Sequence, residues 1–211
     1  MLARIFAIIL LAVPLACVDN GADTDTDAAT AAGTSTVADP TTTTEPTSST
    51  GGSTTGLDPS QLYSCKEEMF GAAPFAGPLW DAEKGGIQGA LQANYVLHTT
   101  QIYVRPESGE EFGMLAEAVG AEAANIDGLI AFSVGSDNGC GVARTMGIWA
   151  SEAAMYKLVT SEAHAKAMAA TLDVSFTGRV THWTATAAEA NAYTWDVARA
   201  KLADVAPSPL Y

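Results

Sequence analysis

From Val18 to Gly56 the chain has no Phe, Trp, Tyr, Ile, Leu or Met, and no Lys or Arg. With almost nothing apolar to bury, this segment cannot offset the entropy of ordering its backbone, which excludes a packed domain there. Residues 17–56 are therefore expected to be a disordered Thr/Ser/Asp-rich tether. Basic residues are scarce throughout: 10 Lys and Arg stand against 24 Asp and Glu, a formal net charge of -14 in 211 residues. Nothing in the chain offers the basic patch that nucleic-acid binding requires. Much of the imbalance lies in the tether itself, in Asp19, Asp23, Asp25, Asp27, Asp39 and Glu45, where acidity favours solubility and extension. A coil of about 39 residues has an r.m.s. span of roughly 35 Å, enough for a domain to stand off from a membrane surface.

Other absences exclude chemistry. The chain lacks C-x-x-C, H-x-H, H-E-x-x-H and any Cys/His cluster, so neither dithiol exchange nor a metal centre is expected. It also lacks the G-x-S-x-G elbow of a serine hydrolase. No Gly-rich loop of phosphate-binding form precedes a helix, because the glycines of Gly135 to Gly141 run from strand to strand. No cofactor is called for by the residues.

What is present begins with an export signal. Arg4 precedes the apolar run Ile5 to Val13, which is too short to span a bilayer, and small residues follow. Residues 1–16 read as a signal peptide. Leu15-Ala16-Cys17 resembles the lipobox of bacterial lipoproteins, with Pro14 departing from the pattern, so Cys17 is the expected lipid attachment site. The chain is thus expected to be exported and membrane-anchored in the bacterial cell envelope by lipid alone; ordinary cleavage and free secretion is the alternative. With Cys17 so used, Cys65 and Cys140 are left to pair.

Residues 57–92 resist a periodic reading, because Pro74, Gly77, Pro78, Gly85, Gly86 and Gly89 interrupt every pattern. They are expected to form an irregular extension laid against the domain, with a turn at Glu83 to Gly86. Residues 93–206 are patterned. Tyr95 to Val104 reads as a strand with both faces at least partly buried, and Glu110 to Asn125 as an amphipathic helix. Leu129 to Val134 and Val142 to Trp149 read as a hairpin turning at Asn138-Gly139. Ser151 and Ser161 cap a helix in two pieces whose Leu158, Val159, Met168 and Leu172 are expected to face inward. Arg179 to Ala185 reads as the last strand and Ala187 to Ala203 as one final helix. The order βαββαβ with a terminal helix predicts an α+β fold, a ferredoxin-like antiparallel sheet with helices on one face. Its other face needs cover, which a second subunit could supply.

The domain resembles the antibiotic biosynthesis monooxygenase family of the dimeric α+β barrel superfamily. The residues that carry the resemblance are Tyr103-Val104-Arg105-Pro106-Glu107, Phe112, Asp127-Gly128-Leu129-Ile130, Ile148-Trp149-Ala150-Ser151-Glu152-Ala153 and Ser161-Glu162-Ala163-His164. It spans about Tyr95 to Ala185. The resemblance implies a homodimer through sheet faces, a pocket for a small apolar or aromatic ligand, and, if there is activity, cofactor-independent oxygenation of a quinol or aromatic. The family's haem-degrading branch relies on three residues whose positions fall here at Thr100, Leu158 and Met168, and all three differ from the branch's pattern.

Trp149 is expected to be packing, and His164 to hydrogen-bond at the kink between helix pieces. His98 and His182 stand in apolar strand alternations, where a neutral imidazole could take a phenolic proton. With Arg144 and Tyr103 they form the candidate catalytic set, Arg144 stabilising the resulting anion. The alternative is that both are satisfied core or interface histidines, in a domain that only binds a ligand or mediates association.

Overall fold

The structure, a computed structural model, describes residues 59–208; the signal segment, Cys17 and the tether lie outside the described residues. The centre of the fold is the strand β4 (Asn94–Val104), eleven residues dominated by β-branched and aromatic side chains. It is preceded by a short helix α1 (Pro59–Leu62) and three two-residue strands, β1 (Gly71–Ala72), β2 (Trp80–Asp81) and β3 (Gly86–Ile87). After a 3-10 turn at Pro106–Ser108 come α2 (Gly109–Ala123), β5 (Leu129–Asp137), β6 (Val142–Trp149), α3 (Glu152–Val159), α4 (Glu162–Val174) and β7 (Ser175–Thr186). Two helices close the chain, α5 (Ala187–Asn191) and α6 (Trp195–Ala203).

The main sheet runs β1-β5-β6-β4-β7 and is antiparallel throughout. Its four long strands have the ferredoxin-like order, with β4 flanked by β6 and β7. On one face Val96, Leu129, Phe132 and Trp149 pack with Ala123 of α2 and with Ala154, Met155 and Leu158 of α3. Local sequence explains these helices. Ser151 and Ser161 each accept a backbone N–H at their helix starts, from Ala154 at 3.1 Å and His164 at 3.3 Å. The stripe that α4 buries runs through Thr171 and Val174. Leu172 falls one position off that stripe and is exposed, as is Val159 at the end of α3, so neither faces inward as expected.

The opposite face carries Tyr95, Leu97, Met146 and Ile148, all almost fully buried. This is the face for which a second subunit was expected, and the chain covers it with its own flanking segments. Ala190 of α5, then Tyr193 and Ala198, pack into this layer, while Phe75, Trp80, Ile87 and Trp195 close its margin. The extension lies along β5, through Ala73 N–H to Val134 O (2.9 Å), paired bonds between Ala76 and Phe132, and Leu79 N–H to Ile130 O (3.3 Å). Gly77 lets it approach closely: a Cβ there would collide with the Ile130–Ala131 backbone. The Glu83 to Gly86 turn joins β2 to β3, and Asn191 Oδ1 accepts from Ile87 N–H at 2.8 Å, tying that hairpin to the end of α5. Cys65 and Cys140 form a disulfide with Cα atoms 5.8 Å apart, joining the extension to the β5–β6 loop.

Two turns differ from expectation. The β5–β6 turn was expected over Gly135 to Gly141 with Asn138-Gly139 within it; β5 instead continues to Asp137, and the hairpin closes through residues 138–141 with Gly141 at φ +62°. Asp137 holds this longer loop by accepting Cys140 N–H at 2.9 Å. The final helix is broken in two, because the chain turns to bury Tyr193, whose hydroxyl donates to the His98 carbonyl at 2.9 Å. Thr186 with Glu189 forms a capping box for α5, and Thr194 caps α6.

Candidate functional site

Register decides which side chains meet. His98 lies opposite Gly147 on β6 and His182 on β7, so both histidines stand on the helical face. Gln101 lies opposite Arg144 and Arg179, and Tyr103 is two residues on from Gln101, so those four stand on the other face. The four residues expected to share one pocket therefore divide into two pairs, one on each side of the sheet.

His98 is 9% exposed. Its imidazole lies over Gly147, where a Cβ would collide with the ring, and beside Phe132, with ring centroids 5.9 Å apart. Trp149 Nε1–H donates to His98 Nδ1 at 2.8 Å. An indole N–H can only donate, so Nδ1 must present its lone pair and the ring proton sits on Nε2. Burial lowers the imidazole pKa to about 4, with smaller effects from His182 and His164. At neutral pH His98 is thus an uncharged ring with Nδ1 occupied and its proton on Nε2. In this tautomer the ring presents a donor at Nε2, while the lone pair that a general base would use is taken by Trp149.

His182 is half-exposed, and its Nε2–H donates to Glu152 Oε1 at 3.2 Å, with Tyr156 edge-on to the ring at 6.1 Å. That pairing ties β7 to the start of α3. The His164 ring lies at the α3–α4 junction beside the Val159 carbonyl, and burial lowers its pKa.

On the other face Arg144 is 5% exposed and donates to the Glu67 carboxylate through Nε (2.9 Å to Oε2) and Nη2 (2.6 Å to Oε1). Gln101 Nε2 donates to Tyr103 Oη at 2.8 Å, and Gln101 Oε1 accepts from Arg179 Nε at 3.0 Å. The Arg179 guanidinium covers the Tyr63 ring at 4.2 Å, and Tyr63 meets Tyr103 edge-on at 5.0 Å. Burial, reinforced by the Glu67 charge, pushes the Tyr103 phenol up to about 12, with Arg144 and Arg179 opposing. Tyr103 is therefore protonated and Arg144 already holds a carboxylate. These residues form a polar layer between the sheet and its cover.

Three contributors escaped the sequence reading. Glu67 sits in a stretch with no periodic signal. The indole of Trp149 was assigned to packing alone. Gly147 left a trace, because a glycine inside a strand marks close approach by another group. Among the described residues, no three His, Cys, Asp or Glu side chains are placed to hold a metal ion together.

Residues 96–170 match the antibiotic biosynthesis monooxygenase family. No curated protein matches the chain. Among solved structures it is similar to a candidate monooxygenase from Lactobacillus acidophilus NCFM, at 16% identity over 46% of this chain and 49% of that one, with a TM-score of 0.40. Rv0793 from Mycobacterium tuberculosis is 16% identical over 42% of this chain and 92% of its own, TM-score 0.40. PA3566 from Pseudomonas aeruginosa is 15% identical over 47% of this chain and 100% of its own, TM-score 0.40. The chain thus spans about half the length of the Lactobacillus protein.

Proposed function

We propose, from the premise that residues 96–170 form an antibiotic biosynthesis monooxygenase-type domain, that this domain binds a small aromatic or quinol ligand by donating the His98 Nε2–H to a ligand oxygen. The observation that carries the reading is the bond from Trp149 Nε1–H to His98 Nδ1. It fixes the tautomer and the ring plane, so the donor is oriented before any ligand arrives. The low pKa keeps the ring uncharged at neutral pH, which suits an uncharged carbonyl or phenol oxygen in an apolar setting.

The family match favours a second reading, cofactor-free oxygenation. A hydroquinone and O2 would give a hydroxyquinone and water, the ring supplying the electrons. The Nε2–H would then stabilise the phenolate oxygen, and the phenolic proton would leave to solvent because His98 has no free lone pair to take it. Fluorescence titration with a panel of quinones and hydroquinones, alongside oxygen uptake, separates the two. Saturable binding that weakens in His98→Phe is expected. Binding without oxygen uptake supports the ligand-binding reading, and uptake above the buffer rate supports the oxygenase. Equal binding by His98→Phe and wild type would sink both.

The same proposal places the domain outside the cytoplasm, anchored through lipid on Cys17. The Cys65–Cys140 bridge supports that compartment, and the mass of the membrane-extracted protein tests it. Pairing of two copies through the sheet face would require α5, α6 and the extension to leave it. We therefore infer that two copies do not pair through this face, and amide hydrogen exchange of Tyr95 to Ile148 that is independent of protein concentration is expected.

A further inference from the structure

We propose that the recess formed by Arg144, Arg199 and Gln101 is a carboxylate-binding site, and that Glu67 fills it as a removable plug latched by the Cys65–Cys140 bridge. The Glu67 side chain is 7% exposed, yet Cys65, Lys66, Glu68 and Met69 around it are all exposed. One side chain thus reaches inward from a surface segment. Its backbone sits at φ +44°, a left-handed conformation that a non-glycine residue adopts only when its surroundings hold it there.

What holds it is the carboxylate. Besides the two-pronged contact from Arg144, Glu67 accepts from Arg199 Nε and Nη2 at 3.4 Å each and from Gln101 Nε2 at 3.3 Å. A planar guanidinium fork is the side chain best matched to a carboxylate. The recess also offers more than Glu67 uses. Arg144 Nη1 is buried without a hydrogen-bond partner, and Arg179 adds a third guanidinium through Gln101. Asp196 also pairs with Arg199 at 3.4 Å, so three guanidinium groups face two carboxylates, and the recess keeps one excess positive charge and an unspent donor while the plug is in.

The latch is two residues from the plug. Cys65 is bonded to Cys140, and Glu67 N–H points to the Cys140 sulfur at 3.2 Å. A dithiol reductant breaks that S–S bond, leaving two thiols here and itself becoming a disulfide. Met69 N–H to Asp137 Oδ2 at 2.7 Å still ties the segment to the β5–β6 loop, but Glu67 itself is then held by its side-chain contacts, and a competing carboxylate can replace it.

The test uses the full chain, with acetate as probe and chloride at equal ionic strength as control, read by thermal unfolding and by the arginine Nε–H resonances. Oxidised wild type is compared with dithiol-reduced wild type, with Glu67→Gly, chosen because glycine suits the positive φ, and with Glu67→Gly/Arg144→Gln. Acetate is expected to saturate the reduced protein and Glu67→Gly with affinity at least about tenfold above that of oxidised wild type, since occupancy scales with the fraction of open recess. The double variant is expected to lose this response. Acetate acting no better than chloride in Glu67→Gly overturns the site, and equal affinity in oxidised and reduced wild type overturns the latch. Should Glu67→Gly not fold, Glu67→Asn, an uncharged residue that also tolerates a positive φ, takes its place in the same acetate-against-chloride comparison.

Discussion

Lowering the pH from 7.5 to 4 should destabilise this domain through one buried ring, and the size of the effect follows from the His98 environment. The imidazole titrates near 6.5 when the chain is unfolded and at about 4 when folded, because burial disfavours its charged form and His182 and His164 add to that. Between those values the unfolded state binds the proton and the folded state does not. Stability is therefore full above pH 6.5, falls as pH drops through 6.5, and stops falling near 4. Such a shift corresponds to about 3 kcal/mol over the window, a large share of a typical domain's stability. The assay is urea unfolding at half-unit pH steps for wild type and His98→Gln. His164, whose pKa is also lowered, and the exposed carboxylates titrate in both proteins and cancel in the difference. The wild-type curve should lose about 3 kcal/mol relative to the variant across the window. Parallel curves, or a His98 resonance titrating near 6.5 in the folded protein, would refute the burial argument and with it the fixed tautomer.

Three further outcomes are expected. Gly147→Ala drives a methyl group into the His98 ring, so it should cost about 1–3 kcal/mol in urea unfolding and shift the Trp149 fluorescence; a neutral result would mean that the ring is free to move. Removing the disulfide with Cys65→Ser/Cys140→Ser opens a loop of 75 residues and should cost about 4 kcal/mol by the chain-entropy model; a loss below about 1 kcal/mol would show that the backbone bonds along β5, and not the bridge, hold the extension. His182→Ala removes a pairing open to water and should change stability by less than about 0.5 kcal/mol and leave ligand binding unaltered; a large loss of binding would return His182 to the site.

The fold was legible because its signals are local. Ser151 and Ser161 stand where a helix needs its first N–H groups accepted, and the period-two runs of β4 and β6 are long enough to exclude a helix. The site was less legible, because strand parity can be counted while register cannot. Alternation puts His98 and Gln101 on opposite faces of β4, but it does not say that Arg144 pairs with Gln101 or that Gly147 lies under His98. That is set by the pairing of β6 with β4, and these strands are joined through α2 and β5 rather than by a tight turn whose length would give the register. Glu67 was beyond reach for another reason: its partners Arg144 and Arg199 are 77 and 132 residues away, and an irregular segment carries no period to align them. Tyr193 broke the last helix for a bond to a strand carbonyl, which the apolar spacing of residues 187–203 does not reveal.

The segments that flank the patterned domain also settle how its sheet meets its neighbours in a crowd. An open sheet has two rims of unspent backbone groups, and each is a template on which a foreign strand can add. Here the β5 rim is taken by residues 71–79, through β1 and the bonds at Ala73, Ala76 and Leu79. The β7 rim is met near its start by the tail, where Ser208 N–H donates to Gly178 O at 2.8 Å. Farther along, β7 ends in the Thr186–Glu189 capping box. Cutting back either flank would thus bare a strand edge as well as an apolar face. Chains shortened in that way should become seeds for fibrillar association, which thioflavin fluorescence of the shortened and full chains would compare.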